Sequence, residues 1–462
     1  IFKGDDGGSA ITALTLDMSE AGAATFNNKI IATELDISGD IDVDGTANLD
    51  AIDVDGTANF AADVTFADGA DIITATAGTS NFRAGLNAGN SIQSGGVQNV
   101  AIGDEAGTAI TTGDNNVCIG YQAGDAISTG DNNIAIGKNA LGAEDGHDFN
   151  IAIGSNALAA QDAGADAYNI AIGHNAGTSI TSGVQNTLIG GQAGDAITDA
   201  DFNVAVGHNA LSVNTVGSQS VAIGHNALLF QNPASATDMQ NTAVGYGVGS
   251  QVTTGTFNTL MGGVSGDALT TGSNNVAIGR ASLSGETTGN SSVAIGRNAL
   301  IVQNFTSATD TFNTAVGDKA GQAVTTGTNN TLIGTEAGQQ LTSGSNNTCV
   351  GTLAAFNLTN GGNNVVVGHD IALSGQSNTN VIGMGFEVTT QSNNNFTFGN
   401  GATDSNIAFG GTSVTAPSDE RYKEDIETST AGLSFINDLR PVTFKWKKAK
   451  DIPADHQSYI AD

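Results

Sequence analysis

A short motif returns through the middle of this chain at a nearly fixed step: Asn, a β-branched residue, a small residue, Ile or Val, then Gly. Strict copies end at sixteen glycines from Gly103 to Gly368, with twelve steps of 17 residues, one of 19 and two of 21. Looser copies end at Gly383, Gly399 and Gly410. Four residues before the glycine stands Asn in sixteen of the nineteen copies, with Ser220, Ser292 and Thr379 the exceptions. One such unit cannot bury its own apolar face, so a period held this long means stacked neighbours sharing one core.

Each copy reads as one coil of a parallel β-solenoid or β-roll. In Asn116-Val117-Cys118-Ile119-Gly120, alternation places Val117 and Ile119 on one face and Cys118 on the other. The bulky pair is expected inside. The small row (Ala101, Ala135, Ala152, Ala171 and Ala222, with Cys118 and Cys349) is expected outside, where it would pack against parallel copies of the chain around a three-fold axis. A second apolar position seven residues after the glycine, at Ile110, Ile127, Ile180 and Ile197, predicts a second short strand. Polar turns such as Thr111-Thr112-Gly113-Asp114-Asn115 join the two. The Asn column is expected at a corner, tolerating a left-handed backbone and laddering with the Asn of the next coil. At about 4.8 Å per coil, the nineteen coils make a rod of roughly 90 Å.

The coils after Gly154, Gly224 and Gly296 are extended, so longer loops recur every four coils. The last two are near-duplicates: Gln231-Asn232 and Ser235-Ala236-Thr237-Asp238 return as Gln303-Asn304 and Ser307-Ala308-Thr309-Asp310. Insertions of this kind project from one side of a solenoid, so loops 229–241 and 301–313 are expected to carry recognition.

Charge narrows the partners. With 14 Lys+Arg against 46 Asp+Glu, the net charge is −32. Such a chain repels phosphate backbones and anionic lipid, so neither nucleic acid nor a membrane is an expected partner. No apolar run reaches the length of about 18 residues that a spanning helix needs. Two cysteines are too few for a disulfide framework and are not spaced for zinc, so packed free thiols are expected. His174, His208, His225 and His369 each follow a motif glycine, in a column that also holds Asp104, Tyr121 and Lys138; such variety marks an exposed turn. Asp104, Asp125, Asp131 and Asp195 lie in turns without the carboxylate pairing of a glycan hydrolase. No metal and no cofactor is expected.

The flanks differ from the repeat. Residues 1–98 read as a β-rich region with an 11-residue period, Ile41-Asp42-Val43-Asp44-Gly45 returning as Ile52-Asp53-Val54-Asp55-Gly56. That alternation suits half-buried strands with acidic outer faces, and the acid an EF-hand loop needs at its twelfth position is missing. The shaft is expected over 99–411, followed by a linker at 412–417. From Pro417 the composition changes: residues 418–462 hold 7 of the 14 basic residues and the sole Trp446. Thr430 to Leu439 suits a short helix and Val442 to Trp446 a strand. This is the start of a small α+β domain, and both chain ends are expected to be truncated.

Ser418-Asp419-Glu420-Arg421-Tyr422-Lys423-Glu424-Asp425-Ile426, followed by Leu439-Arg440-Pro441-Val442-Thr443-Phe444, resembles the opening of the peptidase S74 family. These are intramolecular chaperones at the C-termini of phage tail fibres and tailspikes. The resemblance implies a homotrimer whose chaperone assists folding and then cuts itself off, an activity of at most one turnover. It makes Ser418 the nucleophile and Lys423 its base, and puts Ser418 and Asp419 at the cleavage junction, with the cut on either side of Ser418. A serine hydroxyl needs a base, and a lysine serves if burial lowers its pKa. Ser291-Ser292-Val293-Ala294-Ile295-Gly296 is similar to the head repeat of trimeric autotransporter adhesins, a left-handed parallel β-roll with shorter coils. The expectation is thus an all-β, trimeric β-solenoid fibre of 17-residue coils ending in a chaperone domain. It would be a virion tail fibre binding a host cell-surface receptor, with glycans among the candidates. The rivals are a trimeric adhesin on a bacterial surface and a glycan-degrading tailspike.

Overall fold

The computed structural model describes residues 77–411 and the backbone of three strands near the N-terminus: Phe2–Asp6 (β1), Ser9–Asp17 (β2) and Ala23–Phe26 (β3). These three form an antiparallel meander within a unit spanning Ile1–Asp71, separate from the unit Ile72–Asp462. The 11-residue repeats at 41–60 lie outside the described residues, as does everything from 412 onward, including Ser418, Asp419 and Lys423.

The repeat region is a ladder of parallel strands, one per coil, beginning at Phe82–Ala84 (β4), one coil upstream of residue 99. Each motif contributes a strand of three residues, among them Val100–Ile102 (β5), Val117–Ile119 (β6) and Ile134–Ile136 (β7). Register follows the motif: Val117 pairs with Val100 and with Ile134. The ladder closes where Asn395–Gly399 pairs antiparallel with Ser405–Ala408. No helix occurs among the described residues.

The motif glycine is obligatory. Gly120 has φ +131°, and a Cβ there would stand 2.8 Å from the carbonyl group of Gly137 in the next coil. Only glycine lets successive coils approach this closely at the end of each strand.

The strand faces are the reverse of the sequence expectation. The central residues Ala101, Cys118, Ala135 and Ala152 are wholly buried, whereas the flanking Val117 and Ile119 are only half-buried. Ile172, Ile189 and Ile223 are 36–38% exposed. The cause is the depth of the roll, a single side-chain layer. The wall opposite the strands already supplies Ile110, Ile127, Leu141 and Leu158, all fully buried. A Cβ placed on Gly124 of that wall would meet Cys118 Sγ at 2.7 Å and Ile127 Cδ1 at 2.8 Å. Interiors are packed to this density throughout, so only Ala or Cys fits beneath most strands.

A four-coil code tunes the core. Four residues after the motif glycine stands Gly in two successive coils (Gly177, Gly194) and Leu in the next two (Leu211, Leu228). The Gly pair then returns at Gly249 and Gly266, and the Leu pair at Leu283 and Leu300. Where that position is Gly, the residue three further on is apolar, as at Ile180 and Ile197; where it is Leu, that residue is polar, as at Asn214 and Gln231. Strand centres follow suit: Leu188 lies beside Gly177 and Gly194, and Leu260 beside Gly249 and Gly266. Volume is traded between neighbouring positions and the total is held.

The expected second strand is absent from most coils. Between Gly120 and Ile127 the backbone takes positive φ at Gly120, Gln122 and Gly124, which breaks extension into consecutive turns. Two-residue parallel pairs form beside two extended loops, Gly217–Ser218 with Thr237–Asp238 and Gly289–Asn290 with Thr309–Asp310, and single parallel bridges join Ala354 to Ile371 and Ala372 to Thr389.

The Asn ladder is present. Asn116 Oδ1 accepts the Asn133 backbone N–H at 2.9 Å, and its Nδ2 donates to the Gly130 carbonyl at 2.7 Å. Every ladder side chain is thereby satisfied inside the protein, as buried amides must be. The left-handed backbone, however, belongs to the residue before it, as at Asn115 (φ 59°) and Asn132 (φ 58°).

Candidate functional site

Three surfaces of the shaft carry chemistry. The first is the outer strand face. From Val100–Ile102 to Thr348–Val350 both flanking positions of every three-residue ladder strand are Ile, Val, Thr or Met, without one charged residue in a chain of net charge −32. Coil upon coil this makes a continuous, half-exposed apolar stripe of the kind that marks a protein interface.

The second is a set of buried polar networks at the extended coils. Glu286 Oε1 accepts from the backbone N–H groups of Thr287, Thr288, Gly289 and Phe305, and Gln303 Nε2 donates to Oε2 at 3.0 Å. Gln303 Oε1 in turn accepts from Asn313 Nδ2 at 2.8 Å, bridging the ladder where Ser292 is too short. Glu144 repeats the arrangement with Gln161 and with the N–H and Nδ1 of His147. Asp145 and Asp162 join it, so that ligand atoms of Glu144, Asp145, His147 and Asp162 all lie within 4.8 Å of one another. Burial opposes charging of His147, but Glu144, Asp145 and Asp162 outweigh it and hold the imidazole pKa above its usual value.

These networks alter the expectation for the long loops. Gln231, Met239, Gln303 and Thr311 are wholly buried, and the longest exposed runs are Ala234–Ala236 and Thr306–Ala308. Loops 229–241 and 301–313 are therefore stapled into the shaft by their flanks.

The third surface is a pair of edge columns bearing aromatic rings. After the motif glycine, His208 stacks on His225 and His225 on Tyr246, each with centroids 5.4 Å apart. Several turn aspartates serve the backbone: Asp131 Oδ1 accepts the Asp114 N–H at 2.7 Å, and Asp104 Oδ1 the Leu86 N–H at 3.2 Å. Cys118 and Cys349 are free and buried, and burial pushes both thiols up to about 12. They belong to the small-residue row, which faces inward.

The C-terminal match is the deciding comparison. Residues 418–461 match the peptidase S74 family model, chaperone of endosialidase. No curated protein and no solved structure matches the chain. The S74 segment therefore follows a parallel β-solenoid of about nineteen coils, a combination consistent with a tail fibre or tailspike. Sequence reasoning missed the buried Glu144, Gln161, Glu286 and Gln303, although polar residues at an otherwise apolar position were their signal.

Proposed function

We propose that the chain is the shaft of a phage tail fibre, located in the virion tail, which attaches the particle to a host cell-surface receptor. Its S74 segment assists assembly of a homotrimer and then detaches by cutting beside Ser418. The observation that carries this reading is the S74 match at 418–461 directly after a long β-solenoid.

Three copies would associate through the Ile/Val/Thr stripe. Fifteen strands from Val100–Ile102 to Thr348–Val350 stack to roughly 70 Å at the usual strand spacing, long enough for a substantial interface. Because the stripe is uncharged, three acidic chains can approach along it while their carboxylates face water. In the S74 segment Lys423 would take the proton of Ser418, whose oxygen attacks a neighbouring backbone carbonyl. The peptide C–N bond breaks, the departing amine takes up the proton from Lys423, and water hydrolyses the resulting ester.

The test is expression of the full-length parent alongside Ser418→Ala and Lys423→Ala. The parent is expected to yield one intramolecular cut on a denaturing gel, and each variant an uncut trimer. Cutting that survives Lys423→Ala overturns the Ser–Lys assignment, and a parent that stays monomeric overturns the fibre reading.

A further inference from the structure

The left-handed corner before each ladder residue is held in most coils by Asn, Gln or Ser, which accept that geometry through local hydrogen bonding. Phe149, Phe202, Phe257 and Phe312 break the pattern, with φ between 48° and 64°. They recur every third coil. Tyr168 and Gln185 fill the corners between the first two, Gln219 and Gln240 those between the next, and Asn274 and Ser291 those between the last. A bulky aromatic in this backbone region is an outlier. The rings are also 43–57% exposed, so they lack the burial that normally favours phenylalanine. Asn115 and Asn132 make the same corner at less conformational cost. Strain at recurrent exposed positions points to a role in binding.

All four rings share one edge of the shaft, because each precedes a ladder asparagine (Asn150, Asn203, Asn258, Asn313) held in register with its neighbours. Three coils at about 4.8 Å put successive rings roughly 14 Å apart. From Phe202 to Phe312 this makes separate aromatic plates divided by polar corners, where a protein partner would need a contiguous apolar patch. At the first ring Tyr168 stacks on Phe149 with centroids 5.2 Å apart and widens the plate. Between Phe202 and Phe257, Gln240 Nε2 donates to Gln219 Oε1 at 3.0 Å, which leaves the Gln219 amide protons and the Gln240 carbonyl for a ligand. Apolar plates alternating with amides suit the C–H faces and hydroxyls of a pyranose chain. The net charge of −32 disfavours an anionic one.

We propose that this phenylalanine column is a lengthwise track for a neutral linear polysaccharide, one sugar face stacking on each ring. The inference rests on the attachment reading above and gives it a ligand class.

The test uses the full chain on an array of neutral glucans, mannans and galactans, from disaccharides to decasaccharides, with hyaluronan and polysialate as anionic probes. The parent is expected to capture neutral chains long enough to bridge two rings. Phe202→Asn/Phe257→Asn/Phe312→Asn restores the residue used at other corners, so its unfolding midpoint is expected to hold or rise while capture falls about tenfold or more through lost multivalency. Phe257→Gln alone, matching Gln240, is a smaller change in the same direction. The track is overturned if the parent captures no neutral glycan, if it captures only anionic ones, or if capture is undiminished in these variants. Trimer assembly and self-cleavage are read separately, so failure here removes the track and leaves the fibre reading standing.

Discussion

Gln303 donates from Nε2 to Glu286 Oε2, one coil earlier, and both side chains are wholly buried. Four coils back the same two positions hold Gln231 and Asn214, and there the Gln231 Nε2 has no partner. Asn214 spends its short amide on Gly217 and does not reach across. Asn214→Glu is therefore expected to complete the missing bond and stabilise the protein by about 1–3 kcal/mol, the usual cost of a buried orphan donor. The reverse change, Glu286→Ala, strands four backbone N–H groups and is expected to cost about 3 kcal/mol or more. Thermal midpoints measure both, and hydrogen exchange at Thr287 to Gly289 localises the second.

Adjacent residues on one strand should respond in opposite ways. Ala135 is sealed in the core, so Ala135→Leu overpacks the roll and is expected to cost at least 1–3 kcal/mol or so. Ile136 faces outward, so Ile136→Asp should leave the coil folded and prevent chain association. Circular dichroism with analytical ultracentrifugation separates the two. Trimers with Asp at 136 would remove the stripe from the interface.

Two titrations carry opposite signs. The raised His147 pKa means its pairing with Glu144 stabilises fully below 6.5 and fades as pH rises through the folded-state value. His147→Gln should flatten that part of the stability profile. Asp267 has its carboxyl pushed above the usual range by burial, against the lowering effect of its own backbone hydrogen bond. Its charged form is thus a burden at neutral pH that vanishes as pH falls through the folded pKa to the ordinary 3.8. Asp267→Asn should raise the midpoint at pH 7 and not below 3.8.

With their thiols pushed up to about 12 and no exposed surface, Cys118 and Cys349 should resist alkylation in the native protein. Mass spectrometry after iodoacetamide, with and without denaturant, checks this. Labelling of native protein at the denatured rate would show the coils opening locally.

Much of the architecture was legible because it is written as a period. The 17-residue step fixed the coil, and Asn at a constant offset announced the ladder seen at Asn116 and Asn133. Which face is inside was not legible from alternation, since a three-residue strand such as Val117–Ile119 alternates equally well either way. What decides it is the depth of the roll, set by Ile127 and Leu141 on the opposite wall. The Gly/Leu code at Gly194, Leu211 and Leu228 was present in the sequence but becomes meaningful only once those positions are known to share one cavity. The S74 segment was recognisable from its motif alone, since Ser418 and Lys423 fall in a short, specific signature.

The Asn ladder also has a mechanical side. Its bonds, such as Asn133 N–H to Asn116 Oδ1, run from coil to coil alongside the strand pairing. A pull applied through the chain ends therefore strains the terminal coil first and leaves the interior unloaded until that coil lets go. Each release pays out one 17-residue turn, roughly 60 Å of slack at full extension. Under tension such a chain yields turn by turn, dissipating work at every step where a brittle rod would snap.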